Sequence, residues 1–264
     1  MPNLVIIPTY KEKENIESLI KAIFSLGVPF DILIIDDNSP DGTASIVKNL
    51  QNSYKNLHLI ERPGKMGLGT AYITGFDWAL KNTYNYIFEM DADFSHDPRD
   101  LVRLYKACNE DGADVAIGSR YISGVNVVNW PLSRVLMSYL ASVYVRLVTW
   151  MNIKDTTAGF ICYRKEVLEN IKPQQIKSRG YCFQIEMKFV AWKLGYKIVE
   201  VPIIFTDRRF GSSKMTGGIF SEALWGVLRM KARSLFIQDK RNDTKAQTAF
   251  AKVTAVKGRN GAKA

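Results

Sequence analysis

From residue 4 to residue 121 the chain alternates short apolar runs with stretches of helical period. This alternation limits the possible fold more than any other feature. Leu4–Ile7, Ile32–Ile35, Leu57–Ile60, Tyr84–Phe88 and Asp114–Ile117 have the length and character of buried strands. Between them, Ile16, Leu19, Ile20, Ile23 and Phe24 share one helical face. Ile46, Val47 and Leu50 do the same, as do Tyr72, Ile73, Phe76, Ala79 and Leu80. Repeated strand–helix units predict an α/β layer fold with a mostly parallel sheet. In such sheets ligands bind beyond the carboxyl ends of the strands.

Those ends are where the polar groups gather. Thr9-Tyr10 with Glu12, Asp36-Asp37, Asp91 with Asp93, and Ser119-Arg120 each come directly after an apolar run. Ordinary connecting turns call for Gly, Asn and Ser, not for several carboxylates and an arginine. Asp91 and Asp93 suit a hard divalent cation such as Mg²⁺ or Mn²⁺, which binds through one or two carboxylates plus substrate phosphates. The plainer reading of this pair is a loop with an aspartate capping the next helix. Asp36 and Asp37 suit a ribose or base contact. No Gly-x-Gly-x-x-Gly stands after the first strand and no P-loop is present, so neither a dinucleotide fingerprint nor a Walker motif is supported. Gly64-Lys65-Met66-Gly67-Leu68-Gly69 serves either as a tight turn or as a close approach to a nucleotide. The loop Asp207–Lys214 is basic and rich in Gly and Ser, which suits phosphate. Acids placed for a cation and bases placed for phosphates together point to a nucleoside diphosphate leaving group held by a metal.

The later part of the chain differs. Leu136, Leu140, Val143, Leu147 and Met151 repeat at helical spacing after Trp130-Pro131, and such a row reads first as core. A helix lying in a membrane interface is the alternative. Ala158–Tyr163 and Ile198–Phe205 read as strands, with Pro202 marking an edge or bulge. Ile219–Ile237 reads as a basic amphipathic helix. The net charge is +10. Seven Lys/Arg against Asp243 in residues 240–264 account for +6 of it, leaving +4 for the body. Residues 1–237 are therefore expected to form the folded domain and 238–264 a basic, disordered tail. Cys108, Cys162 and Cys182 show no paired spacing, which argues against a disulfide framework and fits a reducing compartment. His58 and His96 lie far apart, against a zinc site. The start of the chain carries no signal-peptide pattern.

Taken in order, several motifs resemble the polyprenyl-phosphate branch of glycosyltransferase family 2, the dolichyl-phosphate mannose synthases. They are Pro8-Thr9-Tyr10-x-Glu12, Asp36–Thr43, Gly67–Tyr72, Met90–Asp93, Gly118–Tyr121 and Arg208-Arg209-Phe210-Gly211-x-Ser213-Lys214. The resemblance spans residues 3–237. It implies a GT-A (Rossmann-like) mixed sheet flanked by helices, with a C-terminal amphipathic helix. It also implies inverting transfer of mannose from GDP-mannose to a polyprenyl monophosphate, with Mg²⁺ or Mn²⁺ as cofactor. Carried over by motif, Pro8, Tyr10, Glu12, Ile35 and Asp37 hold the nucleotide. Asp91 and Asp93 engage metal and diphosphate, and Ala92 lines the site. Arg120 and Arg134 bind the acceptor phosphate, and Arg208 and Lys214 neutralise donor phosphates. Asp91, Asp93 and Arg120 are the expected catalytic residues. Ser95 stands where some relatives have Gln, as a shorter metal ligand acting through water; Lys11 stands where relatives commonly have Asn.

The expected setting is the cytoplasmic face of a membrane, engaged peripherally through amphipathic helices, the basic tail or an anchoring partner protein. Rival readings are a UDP-glucose-dependent polyprenyl-phosphate glucosyltransferase and a non-catalytic nucleotide-sugar binder. Nucleic acid is not an expected partner, because the aromatic residues do not interleave with basic ones in an RNA-binding pattern.

Overall fold

A computed structural model describes residues 2–176, 178, 180–207 and 219–234, without the side chains of 181 and 219–223. The strands are β1 (Asn3–Thr9), β2 (Asp31–Asp36), β3 (Leu57–Glu61), β4 (Tyr86–Glu89) and β5 (Val115–Ser119), then β6 (Val127–Val128), β7 (Ile161–Arg164), β8 (Ile198–Pro202) and β9 (Phe205–Thr206). The helices are α1 (Ile16–Phe24), α2 (Thr43–Gln51), α3 (Leu68–Lys81), α4 (Asp100–Asn109), α5 (Leu132–Thr149), α6 (Lys165–Ile171), α7 (Gly180–Lys193) and α8 (Ile219–Arg233).

Seven strands form one sheet in the order β3-β2-β1-β4-β7-β5-β8. All pair in parallel except β7, which lies antiparallel between β4 and β5. The sheet is therefore mixed and flanked by helices, as expected. Period-2 alternation divides the strand side chains between two cores. Leu4, Ile6, Leu33, Ile35, Ile87 and Ile117 face α3, α6 and α7. Val5, Ile7, Ile32, Ile34, Phe88 and Ala116 face α1, α2 and α4. Close packing between α3 and β1 depends on Gly75, where an added Cβ would stand 2.6 Å from Ile6 Cγ2.

Three expectations change. The single strand over 198–205 is two: β8 ends at Pro202 on the sheet edge, and β9 pairs instead with β6 in a separate two-stranded ribbon. The strand expected over 158–163 is the shorter β7, which starts three residues later and ends one residue later. The largest change concerns α5: of the expected core row the three leucines face outward, Val143 is half-buried, and Met151, past the end of the helix, is buried. Leu136, Leu140 and Leu147 are 51%, 58% and 71% exposed, whereas Ser142, Val145 and Thr149 are buried against the body. α8 packs beside α5, with the Tyr144 hydroxyl donating to Leu224 O at 3.0 Å. Val227 and Met230 of α8 are buried, and Trp225 and Leu228 are exposed. No described helix is long and apolar enough to cross a membrane. The tail and the end of the expected C-terminal helix, residues 235–264, lie outside the described residues.

Candidate functional site

Because the parallel strands share one direction, their carboxyl ends form one rim. Register places Pro8 opposite Ile35 and Thr9 opposite Asp36, and Asp37 N donates to Thr9 O at 3.0 Å. The two aspartates of the β2 end do different jobs. Asp36 is fully buried; it accepts Thr9 Oγ1 and Ser39 Oγ, each at 2.7 Å, and Ser39 N at 2.8 Å. It pins the turn and is not available to a ribose, contrary to the expectation. Asp37 accepts Arg62 Nε at 2.6 Å in a buried pair. Arg62 also donates to Thr70 Oγ1 at 2.8 Å and to Gly67 O at 3.3 Å. Gly67 caps α3 with φ of +97°, a conformation open to glycine. So Arg62 ties the turn in the glycine-rich stretch to the carboxyl end of β2.

Around these groups, Tyr10 and Glu12 are partly exposed, and the Lys65 ammonium lies 5.2 Å from the centre of the Tyr10 ring. Glu12 N donates to Thr43 Oγ1 at 3.1 Å. The Ile35 side chain belongs to the core, so only its backbone can meet a ligand. Lys11 is exposed and has φ of +58°, in the left-handed region that Asn tolerates better than Lys.

The acidic loop lies just past β4. Asp91 and Asp93 are partly exposed, and Ala92 between them is buried. Asp93 Oδ1 accepts Ser95 N at 3.1 Å, which tightens the turn. His96 is buried, stacked on Phe160 at 4.7 Å and edge-on to Phe205 at 5.3 Å, and its Nδ1 faces Asp91 N at 3.5 Å. Burial pushes the His96 pKa down to about 4, so the ring is neutral near pH 7. Ser95 is buried, and its hydroxyl has no hydrogen-bond partner among the described residues. No cluster of three His, Cys, Asp or Glu exists among the described residues. The donor set is thus two carboxylates and an orphaned hydroxyl. That set fits a hard divalent cation that completes its shell with water and substrate phosphate. Below the loop Glu89 is fully buried near Gln184 and Lys188, and burial drives its carboxyl pKa upward.

The β5 end presents Arg120, only 8% exposed. Asp155 receives Arg120 Nε at 2.7 Å, Nη2 at 2.6 Å and backbone N at 2.9 Å. Burial opposes ionisation of Asp155, but the Arg120 charge and these hydrogen bonds hold its carboxyl below the usual range. Arg134, in the first turn of α5, donates to Asp207 at 3.0 Å and lies over the Trp130 ring at 4.0 Å. Trp130 is also 5.6 Å from the Arg120 guanidinium. One indole therefore stands by both arginines. Thr206 N donates to Ser95 O at 3.2 Å, joining β9 to the acidic loop.

Arg208 and Lys214 lie outside the described residues. The remaining sequence-derived site residues gather at the rim. A separate cleft of about 1080 Å³ opens beside the acidic loop, walled by Leu26, Phe94, Arg99, Arg103 and Ile204, and none of the expected site residues lines it. Sequence reasoning missed Arg62, Asp155 and Glu200. Arg62 had a signal of its own: it stands just past the third apolar run, Leu57–Ile60, at the same kind of strand end that marks the other polar groups.

Residues 4–172 match the family model "Glycosyl transferase family 2". A polyprenol monophosphomannose synthase of Mycolicibacterium smegmatis is 45% identical over 230 residues, covering 85% of this chain and 86% of the relative. An undecaprenyl-phosphate mannosyltransferase of Micrococcus luteus is 43% identical over 226 residues, covering 86% of this chain and 92% of the relative. Among solved structures, glucosyl-3-phosphoglycerate synthase from Mycobacterium tuberculosis, in complex with Mn²⁺, uridine diphosphate and phosphoglyceric acid, superposes with a TM-score of 0.64 at 15% identity, covering 87% of this chain and 78% of that one. A mannosyltransferase from Pyrobaculum calidifontis in complex with GDP-Man and Mn²⁺ gives 0.52 at 17% identity, covering 96% and 80%. These two likenesses concern the fold. With the family match over most of the chain, they make it an enzyme of glycosyl transferase family 2, built on the GT-A fold.

Proposed function

We propose that this enzyme transfers a mannosyl group from GDP-mannose to a polyprenyl monophosphate at a membrane surface, with inversion at the anomeric carbon. One observation carries the reading: the helix that brings Arg134 to the rim, α5, also turns a row of large apolar side chains to solvent. A phosphate-binding arginine on the same helix as an exposed apolar face suits an acceptor with an anionic head and a long hydrocarbon chain. The names of the two relatives at 43% and 45% identity support the same acceptor and sugar.

In this reading Pro8, Tyr10, Glu12, the Ile35 backbone and Asp37 line the nucleotide side, with Arg62 fixing Asp37. Asp91 and Asp93 would hold Mg²⁺ or Mn²⁺ beside the diphosphate, with Ala92 between them and Ser95 close behind. The ion, when bound, stabilises negative charge on the departing diphosphate. His96 orients the loop and is not itself a base, being enclosed between Phe160 and Phe205. Arg120 and Arg134 orient the acceptor phosphate, and Arg208 and Lys214 serve the donor phosphates. An acceptor oxygen bonds to the anomeric carbon as the bond to the GDP oxygen breaks. The monoester is largely dianionic at neutral pH, so no strong general base is needed.

The test is a panel of radiolabelled GDP- and UDP-sugars with polyprenyl phosphate, then extraction into organic solvent. Label from GDP-mannose in the lipid phase is expected. Label only from UDP-glucose would reassign donor and sugar, and no lipid label from any donor would overturn the proposal.

A further inference from the structure

We propose that Asp155 is a positioning residue for transfer, setting the guanidinium of Arg120 against the acceptor phosphate. This rests on the reading of Arg120 as an acceptor-phosphate group. Asp155 is fully buried, and three of its hydrogen bonds come from Arg120, one from the backbone and two from the side chain. A second partner, Thr157 Oγ1, takes Arg120 Nη2 at 2.8 Å. The backbone bond and the fork together fix both where the arginine leaves the strand and which edge of its guanidinium turns inward.

The segment that carries Asp155 is itself held at both ends. On one side Glu200 accepts Asp155 N at 2.8 Å, Lys154 N at 2.7 Å and Ser119 Oγ at 2.7 Å. On the other, the buried Lys188 Nζ donates to Ala158 O at 2.6 Å. Stability alone is a poor account of this arrangement. A buried ion pair gives back much of its attraction as desolvation, and an apolar pair of similar volume is often as stable. Precision is the better account, because a shift of about 1 Å in a positioning group can cost about a hundredfold in rate.

The test is a double-mutant cycle on the full chain, using labelled GDP-mannose and polyprenyl phosphate, with donor affinity measured by calorimetry. Asp155→Asn is expected to lower kcat/KM for the acceptor by about thirty- to a hundredfold. GDP-mannose affinity should stay within about twofold of wild type. In an Arg120→Ala background the same substitution should have little further effect, since there is no guanidinium left to place. Thr157→Val, which removes the hydroxyl's contacts with Arg120 Nη2 and with Asp155 Oδ1 and leaves the ion pair intact, keeps the test open if Asp155→Asn folds poorly. It should lower acceptor kcat/KM several-fold in wild type and not in Arg120→Ala. Equal losses in both backgrounds, or a parallel loss of donor affinity, would overturn the inference while leaving the proposed function standing. A wild-type enzyme that labels no lipid would overturn both.

Discussion

Replacing Leu136, Leu140 and Leu147 together by Ser tests the outward face of α5. The three side chains are 51%, 58% and 71% exposed. Full burial of a leucine side chain is worth about 2 kcal/mol. The exposed fractions leave about 1 to 1.5 kcal/mol per residue to be gained from a lipid phase, or about 3 to 4 kcal/mol for the three. At about 1.4 kcal/mol per factor of ten, the variant should partition onto vesicles roughly a hundred- to a thousandfold less well. Flotation with phosphatidylglycerol-containing vesicles measures this directly. The melting temperature should fall by no more than about 5 to 10 °C, because the buried part of these side chains is worth only about 2 to 3 kcal/mol in all. Transfer to a short, water-soluble isoprenyl phosphate should also hold, while transfer to vesicle-embedded polyprenyl phosphate falls. A variant that floats like wild type would refute the reasoning. So would a large drop in melting temperature, which would mean the face is packed rather than exposed.

The rim and the cores beneath it yield further expectations. Asp91→Ala or Asp93→Ala should reduce transfer by about a thousandfold or more, and chelation should do the same until Mg²⁺ or Mn²⁺ is restored; near-normal turnover in either variant with metal present would remove the metal assignment. Arg62→Ala leaves Asp37 buried without its cation, which should cost about 3 kcal/mol in urea unfolding and weaken GDP-mannose binding in calorimetry. His96 gives a pH dependence with a defined sign. Its folded pKa, about 4, lies below the unfolded value near 6.5, so the unfolded chain takes up the proton first as pH falls. Stability should therefore drop by about 2 to 3 kcal/mol between pH 6.5 and 4, and the slope should flatten in His96→Gln. Gly75→Ala should destabilise by about 1 to 3 kcal/mol in thermal or urea melts, because its Cβ would press on Ile6.

Much of this fold was legible because it depends on short-range periodicity. The apolar runs and helical faces of residues 4–121 fall into the two cores as their spacing predicts. The four polar strand ends meet because parallel strands must end on one side. What periodicity cannot supply is the identity of the neighbour. The row Leu136, Leu140, Leu147 shares a face as its spacing requires, yet α5 packs through Ser142, Val145 and Thr149, the less apolar side. Hydrophobic spacing reports which side chains point together, not what covers them. The antiparallel insertion of β7 between β4 and β5 has no local signal either, since it depends on a strand that arrives after α5. Asp155 reads as an ordinary loop charge, because its partner Arg120 lies 35 residues away; Arg62 stands at a strand end, but nothing local ties it to Asp37, 25 residues away.

Those pairings alter how the rim must work. Arg62 is paired with Asp37, Arg120 with Asp155 and Arg134 with Asp207. The sequence suggests a rim of bases waiting for phosphate, but each of these arginines already has a carboxylate. The first two pairs are buried, and a carboxylate there keeps the arginine charged and oriented without leaving a buried cation uncompensated. Arg134–Asp207 differs, with each side chain 33% exposed. This half-buried pair is desolvated less than the two buried ones, so exchanging Asp207 for a phosphate costs less than breaking either of them. The two arginines therefore divide the work. Under the proposed function, Arg120 is the fixed group that sets geometry, and Arg134, on the helix with the apolar outer face, is the group that changes partner as an acceptor arrives. Asp207→Asn should then raise acceptor affinity severalfold, as a lower KM at low ionic strength that fades with added salt. An unchanged KM would mean that Arg134 keeps its carboxylate partner throughout and that Arg120 meets the acceptor alone.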